Sequence, residues 1–202
     1  AVQTVVDDGL AHPILIGRPG VVTQRVERAG LRLRAGRDFE LVDPENDPRF
    51  RRYWEDYHRA MAREGVTPEM AKATLRRSST VIGAMMVRLG DADAMLCGLV
   101  GRYEAHLEHV EALIGRRAGV PCLAALNALM LDKHTLFIAD TFVNEDPSAE
   151  QLAGIALMAA EEVRRFGLPP KVAFVSHSSF GSSQRASARK MRAASELFRV
   201  LA

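Results

Sequence analysis

Lys171-Val172-Ala173-Phe174-Val175-Ser176-His177-Ser178-Ser179-Phe180-Gly181-Ser182-Ser183 sets four apolar residues ahead of a run of hydroxyls and a glycine. Beyond it, Ala188, Met191, Ala194 and Phe198 recur at helical spacing. That order predicts a buried strand, a polar loop and an amphipathic helix. In an open α/β sheet such a loop lies at the carboxyl end of its strand, where ligands gather. Its backbone N–H groups and the following helix start would face an anion, Gly181 would let backbone approach closely, and the serines supply small donors. Ser176, Ser178, Ser179, Gly181, Ser182 and Ser183 are therefore the candidate phosphate-binding residues.

Similar short apolar runs occur upstream. Ile14–Ile16, Phe39–Val42, Asp91–Cys97, Leu123–Leu131 and Leu136–Phe142 read as further strands of the kind a parallel sheet covered on both faces requires. Helices alternate with them. Asp47-Pro48 opens one whose Phe50, Tyr53, Trp54, Tyr57 and Met61 form a single stripe, read as core packing. Thr67-Pro68-Glu69 opens another that continues to Leu89, and Ser148 with Gln151 makes the capping box of a third that ends at Gly167. The alternation predicts an α/β fold with right-handed crossovers. A helical pattern begins at Val2 and another runs to Ala202, so a piece of something longer is expected.

The 202 residues suit one domain or a domain and a half, and 48% apolar content excludes a disordered chain. The longest apolar stretch, Val120 to Leu131, is interrupted by Pro121 and Asn127 and is too short for a bilayer, so no membrane span is expected. A formal charge of +2 gives no reason to expect nucleic acid as a partner. Cys97 and Cys122 lie in apolar segments and read as two buried thiols of a reducing compartment. No signal peptide is recognisable, which points to the cytoplasm.

Other constellations are weaker. No G-x-G-x-x-G or P-loop pattern occurs, against a dinucleotide or P-loop site in these residues. Glu104, His106, Glu108, His109 and Glu111 crowd one segment, but their spacing suggests no third metal ligand, and a solvated charged helix accounts for them. His177 beside Ser178 would be a base and a nucleophile, yet no carboxylate orients them and G-x-S-x-G is absent. Arg76-Arg77 and Arg116-Arg117 would meet ligand phosphates, although surface arginines are commoner.

Several longer segments carry a resemblance. The run from Phe137 to Leu152, Ala159 to Leu168, the loop Ser176–Ser183, Pro13-Ile-Leu-Ile-Gly17 and Ala92 to Gly98 together resemble the phosphate acetyl/butyryl transferases. More narrowly, Arg37 to Pro44, Tyr53 to His58 and Asn127 to Asp132 resemble the transferase-like C-terminal domain of bacterial NADP-dependent malic enzymes. The resemblance implies one domain over 1–202, a three-layer αβα fold with a mostly parallel sheet, and two subdomains flanking a cleft that receives coenzyme A. It also implies a malic enzyme catalytic domain in the same chain, which would oxidatively decarboxylate malate with NADP and a divalent metal held outside these residues.

This sequence departs from the transferase pattern at two places. Active transferases carry Thr-Thr-Ala-Asp and then an arginine where Arg102-Tyr103-Glu104-Ala105 and then Glu108 stand here. They often carry a lysine where Phe180 stands. Both changes remove a cation that would stabilise phosphate or developing charge. The expected function is an acetyl-CoA-binding regulatory domain without turnover, in a homo-oligomer. An active acyltransferase between coenzyme A and phosphate, and a purely structural oligomerisation domain, are the alternatives.

Overall fold

Ile14–Ile16 (β1) and Glu40–Val42 (β2) run parallel, with Ile14 opposite Glu40 and Ile16 opposite Val42. The crossover between them carries Pro19–Arg28 (α2), which has proline in its first turn, after a short helix at Val2–Asp7 (α1). Parallel strands need such a crossover because a tight turn cannot reverse the chain twice. The computed structural model describes residues 1–202, which divide into two compact units, 1–115 and 116–202.

The rest of the first unit is helical. Asp47 accepts from the Arg49 backbone N–H at 2.8 Å and caps a turn that leads into Phe50–Met61 (α3). Tyr53 and Tyr57 of the expected stripe are buried, and Phe50, Trp54 and Met61 pack against the same core. The helix expected from Thr67 to Leu89 is two helices, Pro68–Arg77 (α4) and Ser79–Arg88 (α5). Ser78 is extended between them, and its hydroxyl accepts from the Val81 N–H at 3.3 Å. A serine thus ends one helix by starting the next, which apolar periodicity does not register. Every residue from Thr80 to Met86 is buried, so α5 forms the centre of the unit.

Tyr103–Leu113 (α6) is the charged helix expected there, with only Leu113 buried. The strand expected at Asp91–Cys97 is absent: no segment pairs with it. Its start is held instead by the Asp91 carboxylate, which accepts from the Tyr53 hydroxyl at 2.8 Å and pairs with Arg52. Cys97 is exposed, contrary to the expected buried thiol, because it lies on this unpaired segment. Cys122 is buried, and that burial, with Asp140 adding to it, pushes its thiol up.

In the second unit Leu126–Met130 (β3) and Thr135–Ala139 (β4) pair antiparallel, with Leu126 opposite Ala139 and Met130 opposite Thr135. The connection is short enough for a hairpin, closed by the Leu131 N–H donating to the His134 carbonyl at 3.0 Å. Ala149–Arg165 (α7) begins with the predicted capping box. The Gln151 N–H donates to the Ser148 hydroxyl at 3.2 Å, and the Ser148 N–H donates to the Gln151 side chain at 2.8 Å. Helix α7 packs against Ala186–Leu201 (α8), with Ala153, Ala160, Ala188 and Ala194 buried. Gly154 is required by a close approach: a Cβ there would stand 2.6 Å from Pro121 Cγ. Lys171–Val175 forms no strand because nothing pairs with it, although Phe174 meets Phe198 of α8 edge-on at 5.8 Å. The α/β class read from the sequence holds, with one parallel and one antiparallel strand pair.

Candidate functional site

The predicted loop joins the 171–175 segment to α8 and contains one tight turn at Ser179–Gly181. Its hydroxyls work mainly on the loop itself. Ser176 accepts from the Ser178 N–H at 3.1 Å, and Ser178 accepts from the Ser183 N–H at 2.8 Å. Ser182 donates to the Ser179 carbonyl at 2.9 Å, and Ser183 accepts from the Arg185 N–H at 3.2 Å. Ser179 is exposed and its hydroxyl has no partner. The structure therefore brings the six predicted residues into one loop, with four of the hydroxyls setting its shape.

Gly181 sits at φ +69°, where a side chain is strained, and a Cβ there would come within 3.3 Å of Arg192 Cδ. Its need for glycine is thus conformational. Phe180 shares the left-handed region at φ +53° without being glycine, and its ring stands fully in solvent at 108% relative exposure.

Sequence reasoning missed the arginines around this loop. Arg192 of α8 donates to the Gly181 carbonyl at 2.6 Å and to the Ser183 carbonyl at 2.7 Å, tying both sides of the turn to the helix. Arg189 donates to the Gln184 carbonyl at 2.5 Å. Arg185, the residue ahead of α8, is exposed and makes no ion pair. Arg185, Arg189 and Arg192 fall at i, i+4 and i+7, one helical face. Arg189 and Arg192 are committed to loop carbonyls, and the Arg185 side chain makes no such bond.

The remaining candidates have structural roles. His177 Nδ1 faces the Ser187 hydroxyl at 3.5 Å, while Ser178 serves the backbone, so the expected His177–Ser178 pair does not form. His106 Nε2 lies 2.8 Å from the Val100 carbonyl, which only accepts. The proton is therefore on Nε2, and Nδ1 accepts from the buried Thr80 hydroxyl at 2.7 Å. No group of three His, Cys, Asp or Glu residues is placed to hold a metal. Glu108 of α6 is exposed and has no ion-pair partner. Arg76 stacks over the Phe50 ring at 5.1 Å, Arg116 donates to the Pro121 carbonyl at 3.1 Å, and Arg117 grips Glu161 at 2.9 and 2.7 Å.

A polar centre that the sequence did not single out lies at Asp140, just after β4. Its carboxylate accepts from the backbone N–H groups of Ala125, Asn144 and Val143 at 2.9, 2.8 and 3.3 Å, and from the Asn144 side chain at 2.6 Å. Partial burial opposes its ionisation, yet these donors together hold the carboxyl below the ordinary range.

The chain is 54% identical over 199 residues to the NADP-dependent malic enzyme of Escherichia coli (98% of this chain, 26% of that protein). It is 49% identical over 202 residues to an NAD-dependent malic enzyme of Rhizobium meliloti (100% of this chain, 26% of that protein). It spans about a quarter of the length of these curated relatives. A phosphotransacetylase from Streptococcus pyogenes superposes with a TM-score of 0.85 at 27% identity, covering 99% of this chain and 60% of that one. No helix is long and apolar enough to cross a membrane. The family model for phosphate acetyl/butaryl transferases matches residues 1–202, and the chain belongs to that family.

Proposed function

We propose that residues 1–202 form one transferase-like domain of a bacterial malic enzyme, binding acetyl-CoA to regulate that enzyme without transferring the acetyl group. The single observation that carries this reading is the serine loop. Its hydroxyls and Arg192 hold it in one shape while the Ser179 hydroxyl and the Arg185 guanidinium stay free for an anion. Such a loop would bind an anion, and His177 is turned to Ser187 rather than to the loop serine beside it.

Glu108 supports the absence of turnover. An unpaired carboxylate stands where the resemblance puts an arginine, and it would repel phosphate rather than neutralise it. NADP or NAD and a divalent metal would belong to the catalytic part of the longer protein, in a cytoplasmic homo-oligomer. Acetyl-CoA would act by binding one state of that enzyme more tightly than the other.

The test uses the full-length enzyme with acetyl-CoA. Calorimetry should show saturable binding, and malate-dependent reduction of the nicotinamide cofactor should change when the site fills. Thiol release from acetyl-CoA plus phosphate should stay at the no-enzyme rate. Sustained release would identify a working transferase, and intact oligomers with no acetyl-CoA affinity would identify a structural domain.

A further inference from the structure

We infer that α2 and the facing segment 31–41 line a binding site of their own, one for a small zwitterion with a branched aliphatic body, an α-amino acid of the leucine class. The site lies in the first unit, uses none of the serine-loop residues and does not depend on the coenzyme A reading. A cavity of about 330 Å³ opens between the two walls, at the small end of the range for ligand pockets. Val22 and Val26, one turn apart on α2, are half-buried in it, and Leu33 and Phe39 on the other wall are 7% and 2% exposed. The floor is thus apolar.

The charges stand at its mouth. Glu27 follows Val26 on α2, Arg34 follows Leu33 on the facing wall, and both are exposed, unlike the apolar neighbour each follows. Neither is held in an ion pair. Asp38, whose charge Arg34 meets, is gripped instead by Arg37 at 2.8 and 2.7 Å. Asp38 also fixes the backbone of this wall: the Arg34 N–H donates to its carboxylate at 2.7 Å, and the Asp38 N–H donates to the Arg34 carbonyl at 2.9 Å. The wall that carries the cation is therefore set before a ligand arrives. An apolar floor with an acid on one rim and a guanidinium on the other matches a molecule with an aliphatic tail, an ammonium and a carboxylate. Glu27 would accept from the ammonium, and Arg34 would take the carboxylate oxygens in pairs. A plain aliphatic acid would gain nothing from Glu27, and a small amino acid would gain little from the floor.

Calorimetry on the full-length enzyme tests this with L-leucine, L-alanine, 4-methylpentanoate and 3-methylbutylamine, on wild type, Glu27→Gln and Arg34→Gln. Both side chains are exposed, so neither replacement unfolds the protein, and the probe series on wild type stands without them. Leucine should saturate wild type, with alanine at least about tenfold weaker because most of the aliphatic carbon for the floor is gone. Each probe that lacks one charge should bind about fivefold more weakly than leucine, the upper worth of a charge pair at an exposed rim. Glu27→Gln should cost leucine the same factor without weakening 4-methylpentanoate, and Arg34→Gln should do so without weakening 3-methylbutylamine. No saturable leucine binding, the result if other residues of the longer protein cover this groove, would overturn the assignment. Alanine binding as tightly as leucine, or a leucine affinity that neither variant changes, would overturn it too. Coenzyme A binding, measured on the same enzyme, is untouched by any of these outcomes.

Discussion

In residues 1–115 the side chains of Tyr53, Leu75, Ile82, Met85 and Met86 are each 2% exposed or less, whereas the largest buried side chain in residues 116–202 is Ile155. The first unit has an enclosed core around α5. The second packs two helices through alanines and leaves large apolar residues such as Met130, Val175 and Phe180 open. Its order comes from polar devices: the Asp140 hub, the Ser148 capping box, the Arg117–Glu161 pair and the Arg192 clamp. Burial and hydrogen bonding therefore carry different shares of the stability in the two units, and substitutions separate them.

The largest loss is expected in the first unit. Met85 is fully buried at 0% exposure, so Met85→Ala removes its transfer energy and leaves a cavity, costing about 2–5 kcal/mol in chemical denaturation. A loss below about 1 kcal/mol would mean that the helices around α5 collapse into the gap, and the contrast with the second unit would weaken.

In the second unit the largest effect belongs to a polar residue. Asp140→Ala strands the donors of Ala125, Val143 and Asn144 and should cost about 2–3 kcal/mol. Asp140→Asn tests the charge, because one acceptor oxygen becomes an NH2 group facing donors. The native carboxyl titrates below its unfolded value, so its stabilisation is complete above the unfolded pKa of about 3.9 and is lost as pH falls through the lower folded value. The difference between wild type and Asp140→Asn should be full at neutral pH and shrink in acid. A difference that is flat with pH would mean that Asp140 does not supply the charge-assisted bonds described.

These two residues also mark what a sequence reveals. Tyr53 and Tyr57 were legible because helical periodicity reports which side faces the core, and Ser148 because a capping box is local. Strands at Asp91–Cys97 and Lys171–Val175 were misread because apolar content does not supply a pairing partner. Asp140 was missed although Val143 and Asn144 lie only three and four residues on, because nothing in the sequence marks which acidic residue turns back to them and to Ala125. In the site, the serine loop stood out by composition. Arg192 did not, because a basic residue on an amphipathic helix looks solvated until the loop carbonyls are placed against it.

Close packing gives the next effect. The methyl of Gly154→Ala would stand 2.6 Å from Pro121 Cγ, a ring with little freedom to move, so a loss of about 1–3 kcal/mol is expected despite the better helix propensity of alanine. A neutral or stabilising result would show that the Pro121 segment is loosely held. Ser148→Ala, which removes the cap of α7, should cost about 1 kcal/mol. Thermal unfolding of both variants would rank them, and Ser148→Ala exceeding Gly154→Ala would make the helix start, rather than its packing, the weak point of the unit.

The smallest effect is the most discriminating. Met130 ends β3 at 86% exposure, so Met130→Thr removes a side chain that contacts little and should change stability by less than about 0.5 kcal/mol. Threonine suits a strand and is more polar, so the variant should also be at least as soluble. The same replacement at Met85 would bury a hydroxyl inside an enclosed core and belongs with the largest losses. Two methionines of equal composition thus differ in effect through burial alone. A loss above about 1 kcal/mol at Met130 would show that the hairpin face is covered in solution, and burial would then govern both units.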